Sequence, residues 1–467
     1  MGSAAAVERL LFSRVEVWLV GLILLVALVG AFIYGALVKY AVDHPGAAGP
    51  VGEAAITVAD LPVEAKNAMD QLVAGQKVSL LAYDQRFDGQ TGFTYSYLPG
   101  SRPQAGYLLL SRYDGDASQS VVELVDLNSQ QILHRWQPDF AEIRKLFDVK
   151  AALPDSNWND PAERVRLIHP LPTADGGLIY QNDSPLVKID ACSQPVWVAN
   201  GIYNHSNESA GDGSVWVPLY RVPSDLHGVD KGFQEDRIAH VGPDGKVLFE
   251  KSMVRILMEN GYGHLVFGTA DYAHDPTHMN DIQPVLADGP YWKKGDVFVS
   301  LRNVSSIVLY RPSEDHIVWL KQWPWVNQHD VDILDDHRIS VFDNHKYNFR
   351  NNRPEVHGHN DVKIYDFATD TVSSPWAQAM TDQDVRTIDM GRQEIVSDDA
   401  VILEETDYGR LMELQRDGST GWEYVNRAGD GKIYLLNWTR TLDRAEGDAF
   451  LAEVRAAGCT AHLEAKL

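Results

Sequence analysis

Three histidines stand at comparable places in the sequence, and an arginine follows one of them. His205, His278 and His329 each precede a short apolar segment, and Arg302 ends the segment that follows His278. An arginine offers a rigid fork for two oxygens, and a neutral histidine can act as a nucleophile or as a general acid or base. Together the four would suit a tetrahedral oxyanion. The alternative is that each histidine hydrogen-bonds the backbone of its own turn.

The apolar segments belong to a unit that repeats along the chain from Ala105 onwards. Each unit alternates apolar and polar residues, contains Asp/Gly turns, and closes with an aromatic residue, which is typical of all-β structure. Recurrence at roughly 50–60 residues is typical of a propeller. We therefore predict an all-β fold, a six-bladed β-propeller, with a pair of β-sandwiches as the alternative. The closing aromatic residues are Trp136, Trp197, Phe249, Trp319, Trp376 and Trp422.

A propeller would explain how residues so far apart in sequence could meet. The innermost strands line a central channel, and the loops that lead into them gather at one end of it. Each of the three histidines lies in or near such a loop. The C-terminal segment Lys432–Arg440 is predicted to close the ring by pairing with the first blade, because a closed ring leaves no open sheet edge.

The N-terminal region has the composition of a membrane anchor. Val17–Val38 contains 22 residues without a charge, which as a helix spans roughly 33 Å. Arg9 and Arg14 precede it, so the positive-inside tendency puts the N-terminus in the cytoplasm and the bulk of the chain in the periplasm or outside the cell. The alternative is a cleaved signal peptide.

These observations predict four parts. They are a cytoplasmic tail (1–15), a transmembrane helix in the lipid bilayer (16–40), a linker with a short helix near residues 61–74 (41–78), and the propeller (79–467). Ala27, Ala31 and Gly35 form a small-residue ridge that could pack on a partner helix in the membrane, or could simply face lipid.

Composition excludes several function classes. The formal charge of −24 is opposite to that of a nucleic-acid binder, so no nucleic-acid partner is expected. Two cysteines, Cys192 and Cys459, are too few for a disulfide-dense scaffold or a four-cysteine zinc site; they could form one bridge in an oxidising compartment. The chain has no P-loop, dinucleotide-binding fingerprint or nucleophile elbow, and no cofactor is expected.

Four segments in order resemble the arylsulfotransferase (aryl sulfate sulfotransferase) family over about residues 180–440. They read THMNDIQPV, GDVFVSLRNVSSIVLY, VNQHDVDILDDHRISVFDNH and EETDYGRLMELQRDGSTGWEYVN. The resemblance implies a six-bladed propeller that works outside the cytoplasm. It also implies transfer of a sulfuryl group from an aryl sulfate donor to a phenolic acceptor, without a nucleotide donor, through a sulfohistidine.

The same resemblance implies roles for individual residues. His329 would be the nucleophile, and His278 and Arg302 would hold the sulfonate oxygens. His205 would be a further sulfate-binding or proton-handling residue, although the segment around it matches the family least well.

Two asparagines complete the expected site. Asn280 of the MND segment and Asn344 of the FDN segment are expected to bind substrate, and Asn280 could also orient neighbouring groups.

This chain also departs from the family pattern. It lacks the short-range disulfide of characterised members, an uncleaved anchor replaces the usual export signal, and a long segment, HKYNFRNNRPEVHGHND, follows FDN. Two alternatives therefore stay open: an altered or inactive propeller that serves as an accessory or binding subunit of a membrane complex, and a metal-dependent hydrolase or lyase on the same scaffold.

Two further polar groups have structural interpretations. His357, His359 and Asp361 could share one face of a strand and bind a divalent metal, but a polar loop is favoured, and no metal site is predicted. The aspartates of the DVDILDD segment are expected to be mostly turn formers and solvated charge; they are Asp330, Asp332, Asp335 and Asp336.

Overall fold

The structure is a computed structural model. It describes residues 16–43, 47–52, 54–59, 80–82, 85–147, 157–269, 271–349 and 353–459, which fall into two compact units, Met1–Val78 and Ser79–Leu467. The first unit contains helix α1 (Val17–Asp43), and most of the apolar side chains of this helix are exposed. Among the described residues, Val17–Ala41 is the one segment long and apolar enough to cross a membrane, as an anchor or as a signal sequence. The short helix predicted near residues 61–74 lies outside the described residues.

The second unit is built mostly from β-strands. The strands of its first part are β1 (Gly92–Tyr95), β2 (Tyr107–Asp114), β3 (Gln119–Asp126), β4 (Gln131–Trp136), β5 (Ile168–Pro172), β6 (Leu178–Gln181), β7 (Ser184–Ile189), β8 (Pro195–Tyr203), β9 (Glu208–Ser209), β10 (Val215–Arg221), β11 (Glu235–Val241) and β12 (Val247–Ser252). The strands of its second part are β13 (Met279–Pro284), β14 (Val297–Leu301), β15 (Ser306–Arg311), β16 (His316–Gln322), β17 (His329–Ile333), β18 (Arg338–Asp343), β19 (Lys346–Phe349), β20 (Arg353–Val356), β21 (Asp361–Asp366), β22 (Thr371–Ser373), β23 (Arg392–Ser397), β24 (Ala400–Glu405), β25 (Arg410–Gln415), β26 (Thr420–Val425) and β27 (Arg440–Leu442).

Five α-helices in the described part of this unit connect or cover its sheets. They are α2 (Phe140–Leu146), α3 (Met253–Glu259), α4 (His264–Phe267), α5 (Ala377–Asp382) and α6 (Arg444–Ala456). Helix α6 begins at a capping box, in which Asp443 accepts from the backbone of Glu446 and the Glu446 side chain accepts from the backbone of Asp443. Beyond its other end, Cys459 forms a disulfide with Cys192, with Cα atoms 5.3 Å apart, so the C-terminal helix is tied to the turn between β7 and β8.

The strands form antiparallel sheets in a propeller-like fold. Four-stranded sheets have the orders β13-β14-β15-β16, β17-β18-β21-β22 and β27-β2-β3-β4, and β1-β26-β25-β24-β23 is five-stranded. The remaining large sheet has eight strands, β5 to β12, and covers the second and third predicted units. The two units are joined because the end of β8 pairs Ile202 and Tyr203 with Tyr220 and Leu219 of β10.

The first and last strands of this unit each pair with a sheet formed mainly by the opposite end of the unit's sequence. Strand β27 pairs with β2, which confirms the prediction that the C-terminal segment joins the first blade. The N-terminal strand β1 pairs with β26 and extends the last sheet, which the sequence pattern did not predict. Both pairings satisfy backbone groups that an open ring would leave at its edges.

The first strands of successive sheets lie against one another, and each begins at a kink. Strand β13 contacts β17, β17 contacts β23, and β27 contacts β5. His278, Asp330, Met390 and Trp438 all have positive φ, between 47° and 63°, and the register of β17 shifts between His329 and Val331. A left-handed residue or a bulge redirects the chain and the side chains beside it, so the same local device recurs where these strands begin.

Buried carboxylates bind one sheet to the backbone of the next. Asp281 of β13 accepts from the Val331 N–H of β17 at 2.7 Å, and Asp330 of β17 accepts from the Gln393 N–H of β23 at 2.7 Å. These bonds satisfy edge N–H groups at the centre of the fold, where no neighbouring strand can do so. The prediction that Asp330 is a turn former is therefore wrong.

Replacing Asp281 by asparagine is expected to make stability less sensitive to pH between about 5 and 8. Burial, together with Asp330 and Glu208, raises the pKa of Asp281 to about 8, whereas an aspartate of the unfolded chain titrates near 3.9. The folded protein must therefore keep a proton that the unfolded chain has released. The contribution of Asp281 to the free energy of unfolding therefore falls as pH rises through this window, by about 1 kcal/mol per pH unit. It levels off above the pKa of Asp281 in the folded protein.

Urea unfolding of the full chain in detergent at three pH values measures this slope. The Asp281→Asn protein should show a shallower slope than wild type, while Asp398→Asn, at an exposed aspartate, should leave it unchanged. Equal slopes in wild type and Asp281→Asn would contradict the assignment of this proton to Asp281.

Candidate functional site

The structure brings the three histidines and the arginine together. The ring centroid of His205 lies 5.1 Å from that of His278 and 6.2 Å from that of His329. The Nη1 atom of Arg302 lies 3.1 Å from Nε2 of His278. His205 precedes β9, His278 precedes β13, His329 begins β17, and Arg302 follows β14. Four different segments thus supply one polar cluster, as the repeated placement in the sequence predicted.

A tryptophan that the sequence analysis missed packs against this cluster. The ring of Trp438 lies 6.0 Å from the rings of both His205 and His329, and its side chain is fully buried. Trp438 stands just before β27 and has positive φ, as His278 does just before β13. The signal available in the sequence was its position two residues before Arg440, near the end of the predicted closing segment.

His329 is held in one orientation by Asn344. Its Nδ1 lies 2.6 Å from Oδ1 of Asn344, and because an amide oxygen can only accept, Nδ1 carries the proton. The Nε2 atom is buried and has no hydrogen-bond partner among the described residues. Burial, and then the charge of Arg302, lowers the pKa of His329 to about 3, so the imidazole is neutral. The arrangement leaves an available lone pair on Nε2.

Arg302 links His278 to a carboxylate. Besides His278, its Nη1 donates to Oδ1 of Asp389 at 3.2 Å, and Asp389 also pairs with Lys346. On its other side the His278 ring bonds the carboxylate of Asp275 through Nδ1. The cations and carboxylates together hold the guanidinium and the imidazole in fixed positions.

His205 and Asn280 are less fully bonded. His205 is half-buried, and its Nδ1 has no partner in the described part of the chain. Burial, and then His278, lowers the pKa of His205 well below its usual value, so it too is neutral. Asn280 is fully buried and donates to the Gln328 carbonyl at 2.8 Å, while its Oδ1 has no described partner.

The two asparagines expected to bind substrate are engaged with protein groups. Asn344 bonds His329 and donates through Nδ2 to the Met390 carbonyl at 2.7 Å. These contacts orient His329 and join β18 to the loop before β23. Direct contact of Asn280 or Asn344 with substrate stays a prediction.

The histidines of the long segment after FDN do not form a metal triad. His359 bonds Asp384 through Nε2 at 3.1 Å, and Asp361 pairs with Lys363 at 2.6 Å. Strands β19 and β20 form a separate hairpin here, with the His345 and His357 rings 6.4 Å apart. Within the described ranges, one group of His and Asp atoms could converge on a cation, Asp335–Asp336–His337, but it is a surface turn in which Asp335 bonds the His337 and Arg338 backbone.

A large cavity lies apart from this cluster. It has a volume of about 1090 Å³, lies between β1 and the sheet of β2–β4, and contains none of the three histidines or Arg302. Two arginines in its lining, Arg112 and Arg135, are neutralised by Glu123 and Asp114. The convergent polar groups, rather than this cavity, therefore mark the candidate site.

Comparison with known proteins gives a family match for the propeller-like unit. The sequence model of the family described as Arylsulfotransferase (ASST) matches residues 173–427, more than half of the chain. No curated protein matches the chain by sequence. Similar solved structures include a protein of unknown function from Bacteroides caccae (11% identity, covering 72% of this chain and 99% of that chain, TM-score 0.45). Others are the Pan2 WD40 domain of Neurospora crassa (10% identity, 72% and 84% covered, TM-score 0.37) and TolB from Acinetobacter baumannii (14% identity, 84% and 72% covered, TM-score 0.37).

Proposed function

We propose, from the premise that this chain belongs to the arylsulfotransferase (ASST) family, that it moves a sulfuryl group from an aryl sulfate ester to a phenolic acceptor without a nucleotide donor. The observation that carries this proposal is the Nε2 of His329, which is buried, has no partner among the described residues, and lies beside Arg302, His278 and His205. A neutral imidazole next to cationic and N–H donors is what attack on an anionic sulfate ester requires.

The reaction would proceed in two displacements at sulfur. In the first, Nε2 of His329 attacks the sulfur atom, an N–S bond forms, and the S–O bond to the aryl group breaks. The leaving phenolate, of pKa roughly 10, needs only modest help from an acid. In the second, the acceptor oxygen attacks the sulfur atom, an O–S bond forms, and the N–S bond to His329 breaks. His205 receives the acceptor's proton and releases it to solvent, and His329 returns to its neutral form with its proton still on Nδ1. Atoms and charge balance across the two steps.

Catalysis would come from charge stabilisation and alignment. The three sulfonate oxygens gain charge when the group is in transit, and Arg302 would face them. His278, which donates to Asp275 and accepts from Arg302, would hold the guanidinium in place. Asn280 would fix the local backbone through Gln328, and Trp438 would exclude water from the side of His329 that it covers.

We also propose that the β-rich unit has six blades and that helix α1 spans a membrane. If the eight-stranded sheet is divided between β8 and β10, which share two residue pairs, the unit has six four- or five-stranded blades. The apolar helix α1 would anchor the chain in a membrane as a single pass. Arg9 and Arg14 before it favour a cytoplasmic N-terminus and a periplasmic or extracellular propeller.

The test is transfer by the full-length protein in detergent. The purified chain is mixed with p-nitrophenyl sulfate and a phenol, and nitrophenol release is measured with and without the acceptor. We expect acceptor-dependent release and a sulfated phenol, with no need for a nucleotide. No turnover with a panel of aryl sulfates, together with copurification in a larger membrane complex, would instead indicate the accessory role.

Replacing Asn344 by leucine is expected to lower kcat by about 100-fold, because the neutral His329 could then place its proton on Nε2, the attacking atom. Leucine fills the volume but cannot accept a hydrogen bond. Asn344→Asp keeps an acceptor for Nδ1 and should retain more activity than the leucine variant.

Steady-state rates of the two variants measure the effect, and thermal unfolding shows that both variants are folded at the assay temperature. Equal losses in both would contradict an orienting role for the acceptor atom and point to the lost Asn344–Met390 bond instead.

A further inference from the structure

Arg166 is a second arginine beside the site, and no sequence motif identified it. It precedes β5 and donates from Nε to Oδ1 of Asn437 at 2.6 Å and from Nη2 to the Leu436 carbonyl at 2.7 Å. Its Nη1 reaches only the sulfur of Met390, at 3.8 Å, among the described residues. A thioether is a weak acceptor and carries no charge.

No carboxylate among the described residues forms an ion pair with Arg166. Other arginines in the interior do have such a partner: Arg392 pairs with Asp330 at 2.9 Å and Arg440 with Glu208 at 3.2 Å. Burial lowers the pKa of Arg166, and the charges of Asp407 and Asp183 only partly oppose this. Arg166 is half-buried, and a cation that is partly removed from water without a counter-ion is costly, which favours the arrival of an anion from outside.

The contacts of Arg166 place it at the histidine cluster. Asn437, which it bonds, is followed directly by Trp438, whose ring lies 6.0 Å from those of His205 and His329. Its charge is one of the causes that lower the pKa of His205. Arg166 therefore bonds the residue next to Trp438 and acts electrostatically on His205, which puts its charge beside the histidine cluster.

The two arginines of the site differ in how much of their charge is available. Arg302 already donates from Nη1 to His278 and to Asp389, whose carboxylate offsets its charge. Arg166 donates to neutral carbonyl groups and a sulfur, and Asp407 and Asp183 act on its charge without forming an ion pair with it. An incoming anion gains more from a cation whose N–H groups are not already bonded to a carboxylate.

We propose that Arg166 binds the sulfonate oxygens of the donor ester and of the sulfohistidine. It is a second guanidinium at the site, and unlike Arg302 it is not paired with a carboxylate. This inference rests on the proposed function. It assigns most of the electrostatic attraction for the anion to Arg166. Arg302 positions His278 and stabilises part of the transition-state charge.

The experiment compares Arg166→Met and Arg166→Lys with a matched control, Arg427→Met. Arg427 also donates to backbone carbonyls, those of Gln90 at 2.8 Å and Phe87 at 2.9 Å, but it lines the separate cavity. Binding of inorganic sulfate to the full chain in detergent is measured by calorimetry, and KM and kcat for p-nitrophenyl sulfate by nitrophenol release. Thermal unfolding shows whether each variant is folded.

We expect Arg166→Met to weaken sulfate binding at least tenfold and to raise KM for the donor, and Arg166→Lys, which keeps the charge, to recover part of both losses. Arg427→Met should bind sulfate within twofold of wild type. Should Arg166→Met fail to fold, the lysine variant decides: sulfate affinity unchanged from wild type at high and low salt would overturn the inference.

The two proposals fail in different ways. A wild-type protein that binds sulfate through Arg166 but transfers nothing would disprove the transferase and leave the anion site standing. A wild-type protein that transfers sulfuryl groups, with Arg166→Met as active and as tight for sulfate as wild type, would overturn the role of Arg166 alone.

Discussion

Replacing His329 by alanine is expected to abolish sulfuryl transfer, with a loss of about 10³-fold or more in kcat, because no other group offers a neutral nucleophile in that position. The Nε2 atom of His329 is buried and unpartnered among the described residues, and its pKa is lowered to about 3. Since the imidazole stays neutral down to about that pH, transfer should not fall between about pH 8 and 5 through protonation of this residue.

Two measurements separate a nucleophile from a merely structural histidine. Wild type quenched during turnover should carry about 80 Da, the mass of SO₃, on the peptide that contains His329, and the alanine variant should not. A His329→Gly variant, in which the side chain leaves a hole beside Trp438, should regain part of its activity when imidazole is added.

A modified peptide without His329, or an alanine variant that keeps more than a tenth of the wild-type rate, would contradict the assignment. Activity that falls with the titration of a group near pH 6.5 would point to a different histidine as nucleophile.

The convergence of the site could be predicted because it follows from repetition. His278 lies just before β13 and His329 begins β17, the first strand of the next sheet, and a repeating sheet unit carries such positions to the same end of a common axis. His205 was found in the same way. The ring distances of 5.1 Å and 6.2 Å from His205 agree with that reasoning.

The residues that surround the cluster could not be predicted because their contacts join remote segments. Arg166 meets Asn437, and Arg302 meets Asp389, across separations of 271 and 87 residues. Neither pair has a local pattern, since any loop at that end of the sheets could have supplied the partner. Trp438 was visible only as an aromatic near the closing strand.

Alternation of apolar and polar residues also fails at the centre of this fold. Asp330 belongs to a polar run that resembles a solvated turn, yet it is 2% exposed and bonds Arg392 at 2.9 Å. Asp335, five residues later, does form the predicted turn with the Arg338 backbone. The period of a strand shows which residues share a face but not whether that face meets water or a buried polar channel.

The second large effect is expected at Arg302. Replacing it by methionine should lower kcat/KM for the donor by about 10²-fold, because the variant loses a donor to the sulfonate oxygens and the contact that positions His278. The loss should exceed that of Arg166→Met in kcat, whereas Arg166→Met should have the larger effect on KM and on sulfate binding.

The ion pair of Arg302 with Asp389 must be separated from its action on substrate, since Arg302→Met also leaves that carboxylate with Lys346 as its remaining described cation. Asp389→Asn, which keeps the guanidinium, should stay within about threefold of wild type. The double variant Arg302→Met/Asp389→Asn should be as impaired as Arg302→Met. If the double variant recovers the activity, the harm in Arg302→Met comes from the unbalanced Asp389 carboxylate, and Arg302 does not act on the transferred group.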